Sequence, residues 1–598
     1  MPASRSNNEL PSHRSGGPFA RFGNGRRWPF RLVVGVVAIA AALIVIVVVR
    51  QGGGSARYGC SGAPVTFTVA APAQQVAALD GLAGKWNATK PAADGRCVAA
   101  NVVGKESNEV AAALGPAWDS TRDGPRPDVW VADSKLWMLI AAARPDAGTM
   151  VPDQPVSIAS SPVVMALRRP MAEALGWPQR PLGWDEVVGA FVTPGVWAKA
   201  GHPEWAALRM GMTDPTGSTA GLAAAMALMD RDGDGTLSDA ELTASLSFSQ
   251  SLGSMAADTN SLFTEQERGN SAVAAFPAIE RDVATYNAAN AGGQLVPIYP
   301  PKDLSIADYP YAILNANWVD DTRKTAAKQF QEYLLGAAGQ QALAGTGLRA
   351  PDTGIKDTAA LPLDQGFARD IPAARKLPDP AGLSQMLTQW ATMQRPNNVL
   401  VVLDTSGSMN ESVPGTAMTR LQLMQQTAAA GFGMLTSRTS IGLWEFSAQL
   451  TPTTPYRELV PYGPLTDNVG AVPRVKALQG AIVGLHAGGG TALYDTAYAA
   501  FHAIQNSWLP NGTNAVLLIT DGRNEFDTGL SRTDLMARLT KEQRPDKPVQ
   551  IIGIAVGPQA DADALEEMSR ITSGRTFVAR DPAGAVQTLI LAFAGRLR

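Results

Sequence analysis

Residues 398–409 read NVLVVLDTSGSM, and this stretch decides how the last third of the chain folds. Residues 399–403 form a continuous apolar run, the pattern of a central parallel strand buried on both faces. The run ends in Asp404, Ser406 and Ser408, three oxygen-bearing side chains spaced two apart, with Gly407 allowing a tight turn. Such a loop at a strand's carboxyl end can turn several oxygens toward one cation. Hard divalent ions, Mg²⁺ above all, take oxygen ligands and keep several waters.

Two later segments supply the partners. HAGGGTALYD (486–495) places Thr491 after three glycines and just before an amphipathic helix expected over 492–506. AVLLITDGRNE (515–525) places Asp521 at the end of a second buried strand, 515–520. The set resembles the metal-ion-dependent adhesion site (MIDAS) of von Willebrand factor A (VWA) domains, DxSxS…T…D, with matches at Asp404, Ser406, Ser408, Thr491 and Asp521. Strand patterns at 440–446, 549–556 and 575–579 continue the alternation expected of that Rossmann-like fold over residues 395–598. The resemblance implies ligand binding through a shared metal, Mg²⁺ with Mn²⁺ or Ca²⁺ as alternatives. Ser406 and Ser408 would coordinate directly, Thr491 directly or through water, and Asp404 and Asp521 mostly through water. The open position would take an acidic side chain of a protein partner or another acidic ligand.

Upstream, apolar strand patterns at 64–71, 97–103, 128–133 and 156–167 alternate with helical patterns at 74–87 and 171–175. That alternation predicts an α/β fold with a largely parallel sheet. Ligands in such folds bind beyond the carboxyl ends of strands, where helix N-termini present free N–H groups. Residues 105–108, 160–162 and 214–219 have this character, although helix capping by Ser, Thr and Asp is the better reading of any one of them alone. The series ASSPVVMAL, LGWDEV, DPTGSTAGL and ADYPYAIL, followed by a helix over 324–336, resembles bacterial extracellular solute-binding proteins of the two-lobed (type 2) kind, over residues 62–350. The resemblance implies a cleft between the lobes for a small solute, with Ser107, Ser160, Ser161, Ser218 and Tyr309 as candidate lining. Residues 351–394 then read as a Pro-rich linker and a helix at 381–394.

Inside that region, MDRDGDGTLSDAEL (229–242) has the spacing of a calcium-binding EF-hand loop over 230–241. Asp230, Asp232 and Asp234 stand at positions 1, 3 and 5, Gly235 at the obligatory turn, and Glu241 at the bidentate position 12. Thr236 would offer a carbonyl and Ser238 a hydroxyl or a water bridge. An acidic turn of no consequence would hardly supply all of these together. A single loop of this kind suits a structural Ca²⁺ staple better than a sensor, which opens a helix pair.

The 598 residues exceed one ordinary core and predict two or three domains. Residues 32–49, LVVGVVAIAAALIVIVVV, carry no polar side chain and are just long enough to span a bilayer. Six arginines against Glu9 precede them, which predicts a cytoplasmic basic tail (1–31), a single-pass transmembrane helix and an extracytoplasmic remainder joined by a tether at 50–61. The run ends in Val47-Val48-Val49-Arg50 without a small-x-small cleavage site, so an uncleaved anchor is favoured over a signal peptide. Cys60 and Cys97 are the only cysteines, and on the oxidising side a disulfide between them is the default, contributing roughly 3–4 kcal/mol.

A net charge of −3 gives no electrostatic case for nucleic acid. No GxxxxGK[ST] loop, GxSxG elbow or HExxH helix occurs, and no general base stands beside the metal motif, so a metal-dependent hydrolase is the least favoured reading. The sequence therefore predicts a membrane-anchored bacterial cell-surface binding or adhesion protein acting through its metal site. The alternative is a small-solute receptor for a transporter or signalling partner, with the C-terminal domain as docking module.

Overall fold

The structure is a computed structural model. It describes residues 60–579 except 233, 235, 237, 239, 242, 243, 246, 247, 250, 251, 269–271, 291–294, 414, 415, 433, 434, 436, 437, 449, 558 and 559. The predicted tail, the transmembrane helix at 32–49 and all of the tether but its last two residues lie outside the described residues. Among the described residues no helix is long and apolar enough to cross a membrane.

Three sheets organise the described chain. The first has the order β2-β3-β1-β4-β12-β5, from Ala92–Ala93 (β2), Arg96–Gly104 (β3), Ser61–Ala71 (β1), Val129–Val131 (β4), Pro310–Ile313 (β12) and Val156–Ser157 (β5). The second has the order β10-β6-β9-β7-β8, from Leu295–Ile298 (β10), Ser161–Arg168 (β6), Val273–Ile279 (β9), Arg209–Thr213 (β7) and Leu252–Ala256 (β8). Ile306–Ala307 (β11) adds to β6.

The expected strand at 156–167 is in fact two strands in two different sheets. The chain leaves the first lobe after Ser157 and enters the second at Ser161, and it returns between β11 and β12. The largely parallel expectation holds for β3-β1-β4 in the first lobe and for β9-β7-β8 in the second. In the second lobe β6 runs antiparallel to both β9 and β10.

At the N-terminal end of β1, Cys60 is disulfide-bonded to Cys97 of β3. Near the crossings, Ser160 and Arg349 exchange backbone hydrogen bonds of 2.9 Å, and the Arg349 guanidinium pairs with Glu280 at 2.6 Å with neither side chain exposed. Burying two charges is tolerable only with full hydrogen bonding. Arg349 meets that need by also donating to the carbonyls of Thr353, Ala368 and Arg369, and Glu280 also accepts from the Tyr299 hydroxyl.

The Pro-rich segment is not a free tether. Leu361 and Phe367 are buried in the second lobe's core, and Arg375 reaches the Asp230 carboxylate at 2.6 Å. The helix that follows, Pro380–Met393, is capped by Asp379, which accepts from Ala381 and Gly382 N–H at 2.9 Å. Its Leu383, Met386 and Trp390 join a core that holds side chains of both lobes, among them Trp130 and Met226.

The third sheet has the order β15-β14-β13-β18-β19-β20. It is built from Tyr456–Pro464 (β15), Thr439–Phe446 (β14), Asn397–Asp404 (β13), Thr513–Thr520 (β18), Gln550–Val556 (β19) and Thr576–Ala579 (β20), with a separate hairpin of Asn468–Val469 (β16) and Val472–Pro473 (β17). Period-2 alternation explains why β13 is apolar throughout. Val399, Val401 and Leu403 face a core shared with Leu421, Leu478 and Ile482, while Leu400 and Val402 face the opposite core of Leu493, Phe501 and Leu565. Each buried Val or Leu contributes about 1.5–3 kcal/mol, so a charge on either face would have no compensation. The chain steps from β13 to β14 on one side and to β18 on the other, so the sheet's switch point lies at the carboxyl ends of β13 and β18.

Candidate functional site

The five residues singled out in the C-terminal domain come from three loops at that switch point. Asp404 ends β13 and is fully buried; one carboxylate oxygen accepts from Ser406 N–H at 2.8 Å and the other from the Thr520 hydroxyl. Burial pushes the Asp404 carboxyl up to about 6, against the hydrogen bonds from Thr520 and Ser406 that hold it down. Ser408 donates to Asp521 at 2.8 Å, and its hydroxyl lies 3.1 Å from that of Ser406.

Thr491 arrives from the glycine loop. A Cβ placed on Gly522 would meet the Thr491 hydroxyl at 2.7 Å and the Ser408 hydroxyl at 3.6 Å, so both hydroxyls lie beside the residue that follows Asp521. The glycines are needed for this approach. Gly489 has φ +77°, and a Cβ there would lie 2.6 Å from the Ala448 carbonyl. Gly407 N–H donates to the Gly489 carbonyl and Gly488 N–H to the Thr405 carbonyl, both at 2.8 Å, which ties the two loops together. Three hydroxyls with two carboxylates make an all-oxygen donor set, and the set fits a hard divalent ion.

Arg420 was not legible as part of the site. It opens the helix Arg420–Phe432, donates to Asp521 at 2.8 Å and pairs with Glu411 at 2.8 Å. One Asp521 oxygen is thus held by the guanidinium and the other by Ser408. No spacing rule announces an arginine twelve residues beyond Ser408; only the packing of the helix brings it there.

In the EF-hand-like loop, Asp230, Asp232 and Asp234 offer oxygens within 4.8 Å of one another. Glu241 stands apart from this group. It accepts from Ser238 N–H at 2.9 Å, Ser238 hydroxyl at 2.7 Å and Arg231 N–H, and so caps the helical turn that begins there. Thr236 donates its N–H and hydroxyl to Asp234 at 2.7 Å. The described residues among 240–249 are helical.

Of the five candidate cleft residues, the structure places two in the cleft. A cavity of about 590 Å³ opens between the lobes, and Ser218 and Tyr309 line it. Ser218 caps the helix Thr219–Met229, and Tyr309 has φ 38°, a left-handed conformation uncommon for a bulky residue. Ser160 and Ser161 are corrected to structural roles. Ser160 is buried and its hydroxyl donates to the Ala350 carbonyl at 2.6 Å, while the Ser161 hydroxyl accepts from Arg281 N–H at 3.1 Å. Both serve the crossing between lobes. Ser107 is also buried, turned toward Asp133, whose N–H it satisfies at 2.9 Å. Asp133, Glu106, Glu109, Asp258, Arg281 and Asp282 line the cleft instead, and sequence reasoning that looked for hydroxyls passed over them.

Comparison with known proteins agrees with this division. Residues 67–349 match the family described as bacterial extracellular solute-binding protein, and residues 398–590 match the von Willebrand factor type A domain. A protein of Mycobacterium tuberculosis described only as uncharacterized is 25% identical over 540 residues, covering 86% of this chain and 74% of its own length. Among solved structures, a von Willebrand factor type A protein from Catenulispora acidiphila is 20% identical, over 34% of this chain and 43% of that one, with a TM-score of 0.27. Iron-bound HitA from Pseudomonas aeruginosa is 17% identical, over 54% of this chain and 98% of that one, with a TM-score of 0.37.

Proposed function

From a chain that carries an extracellular solute-binding domain followed by a VWA domain, we propose a membrane-anchored extracytoplasmic binding protein whose C-terminal domain engages a partner through a divalent metal. The supporting observation is the convergence of the Ser406, Ser408 and Thr491 hydroxyls beside Asp404 and Asp521. A bound Mg²⁺, Mn²⁺ or Ca²⁺ would supply an electrophilic centre for an acidic side chain of the partner. The protein's own part is to hold the oxygens. Buried Asp404 fixes the loop through Ser406 N–H, and Arg420 with Ser408 fixes Asp521. With Asp521 already shared between a hydroxyl and a guanidinium, little net negative charge faces the open side, which favours an anionic partner group. The apolar run at 32–49 would hold the protein in the membrane, and the disulfide accords with an oxidising exterior.

The second reading, a solute receptor with the VWA domain as docking module, is favoured by the cleft between the lobes. Pull-down from native membranes with and without chelator, using the full chain and its Ser408→Ala and Asp404→Ala variants, separates the two. Metal-dependent capture lost in both variants supports the adhesion reading. Capture that survives both variants and depends on a solute overturns it.

A further inference from the structure

We propose that the helix Pro380–Met393 is a strap that fastens the two lobes of the first domain to each other, so that they stand as one body and do not hinge apart about their crossings. Lobes joined only by crossing segments ordinarily rock about them, and a contact between domains stops such motion only when it is large and apolar. Here the contact is apolar and runs without a break from one lobe into the other.

One helix from each lobe builds it. Lys135–Ala142 follows β4 of the first sheet, and Thr219–Met229 follows β7 of the second. At their N-terminal ends, beside the cleft, the Trp137 indole N–H donates to the Thr219 hydroxyl at 2.7 Å, and both residues are buried. Around this hydrogen bond, Trp130, Leu136 and Trp137 of the first lobe share a core with Met210, Leu222 and Met226 of the second. Hinging the lobes apart would break the bond and bring water onto apolar side chains on both sides.

The C-terminal ends of the same two helices meet the strap. Its Leu383, Met386 and Trp390 have the i, i+3, i+7 spacing of one helix face, and all three are buried in that shared core. Leu383 and Met386 line one depression with Met226 and Met229 of the second lobe. Ser384 and Thr388 line another with Ala143, the residue that caps the first lobe's helix. A helix that only completed the second lobe's core would have no place beside Ala143.

Both ends of the strap are pinned. Ahead of it, Arg375 pairs at 2.6 Å with Asp230, the C-terminal cap of Thr219–Met229. Behind it, the Gln394 amide donates to the Ser249 hydroxyl, between β7 and β8, at 3.4 Å. The Gln394 carbonyl accepts from Arg438 of the VWA domain at 3.2 Å. Only residues 394–396 separate Met393 from Asn397, where β13 begins, so the helix has no slack to slide along its seat.

Electron–electron resonance distances in the full chain test this. Spin labels go on Lys85→Cys in the helix Ala73–Ala88 of the first lobe and on Thr264→Cys in the helix Thr259–Glu267 of the second, both exposed positions. The native cysteines are paired with each other and take no label. One narrow distance distribution is expected; two lobe separations, or a spread as broad as in Leu383→Asp and Trp390→Asp, overturn the proposal. Hydrogen exchange gives the second readout. Leu383→Asp is expected to speed amide exchange in both Lys135–Ala142 and Thr219–Met229, on the order of tenfold. Acceleration in Thr219–Met229 alone makes the helix part of the second lobe only, and acceleration in neither makes it idle; either result overturns the strap. If the aspartate variants do not fold, Leu383→Ala takes their place in the exchange measurement with the same two-helix outcome expected, and the distance distribution of the chain with its strap intact decides by itself. Neither readout involves a metal or a solute, so failure here leaves both functional readings standing.

Discussion

Arg420 and Asp521 form an ion pair of 2.8 Å in which the side chains are 6% and 0% exposed. The pair joins the helix after the first metal-motif loop to the end of β18, and Ser408 shares the same carboxylate. Removing one member of a buried pair leaves the other charged and unsolvated. Arg420→Met is expected to destabilise the protein by about 3–5 kcal/mol in denaturant unfolding. Arg420→Lys keeps the charge but loses the fork that spans Asp521 and Glu411, and a smaller loss is expected.

Arg349 and Glu280 hold the region where the chain crosses between lobes. Arg349→Leu alone is expected to cost about 3–5 kcal/mol. Arg349→Leu combined with Glu280→Leu should recover a large part of that loss, since no lone charge remains. A double-mutant cycle read by urea unfolding measures the difference, and equal losses in the single and double variants would contradict it.

Glu241 caps the turn after the acidic loop through Ser238. Glu241→Ala is expected to lose about 1 kcal/mol in chelator, the worth of a cap. In millimolar Ca²⁺ the gap should widen, because extracellular loops of this type bind at roughly 10⁻⁴–10⁻³ M. Metal-dependent capture through Asp404 should persist. Thermal melts with and without Ca²⁺ give the answer, and a gap unaffected by Ca²⁺ removes the case for a metal staple.

Asp133 sits in the cleft with its carboxyl raised to about 7, by burial first and then by Glu106 and Asp282, against the Ser107 hydrogen bond and Arg281. The folded state therefore holds this proton more tightly than the unfolded chain, whose carboxyl titrates near 4. Stability from this group is complete below about 4 and declines as pH rises to about 7. Melting temperature of the solute-free protein should carry this downward slope, and Asp133→Asn should flatten it.

The Cys60–Cys97 bond closes a loop with a sequence separation of 37 between the start of β1 and β3. Replacing both cysteines by serine is expected to cost about 2–4 kcal/mol. Equilibrium unfolding of the two forms measures it directly.

Much was legible before any coordinates. The continuous apolar runs at 399–403 and 515–520 announced two buried strands, and a resemblance to the VWA metal site singled out Asp404, Ser406, Ser408, Thr491 and Asp521 at loop ends. Local pattern suffices there because a doubly buried strand must be apolar throughout and a turn needs its glycines. The linker was misjudged for the same local reason. Proline and charge mark a loop, but they do not reveal that Leu361 and Phe367 fill a core or that Arg375 finds Asp230.

The sequence by itself determined the two domain types and the apolar runs of the buried strands in the second, since a buried strand is written in residues adjacent in the chain. Only the tertiary structure decided what surrounds those residues. Arg420 beside Asp521, Ser160 and Ser161 withdrawn into the crossing between lobes, and acids joining Ser218 and Tyr309 along the cleft all depend on contacts between distant segments. Charge and burial at a site are set by everything folded against it, and no short stretch of chain encodes that sum.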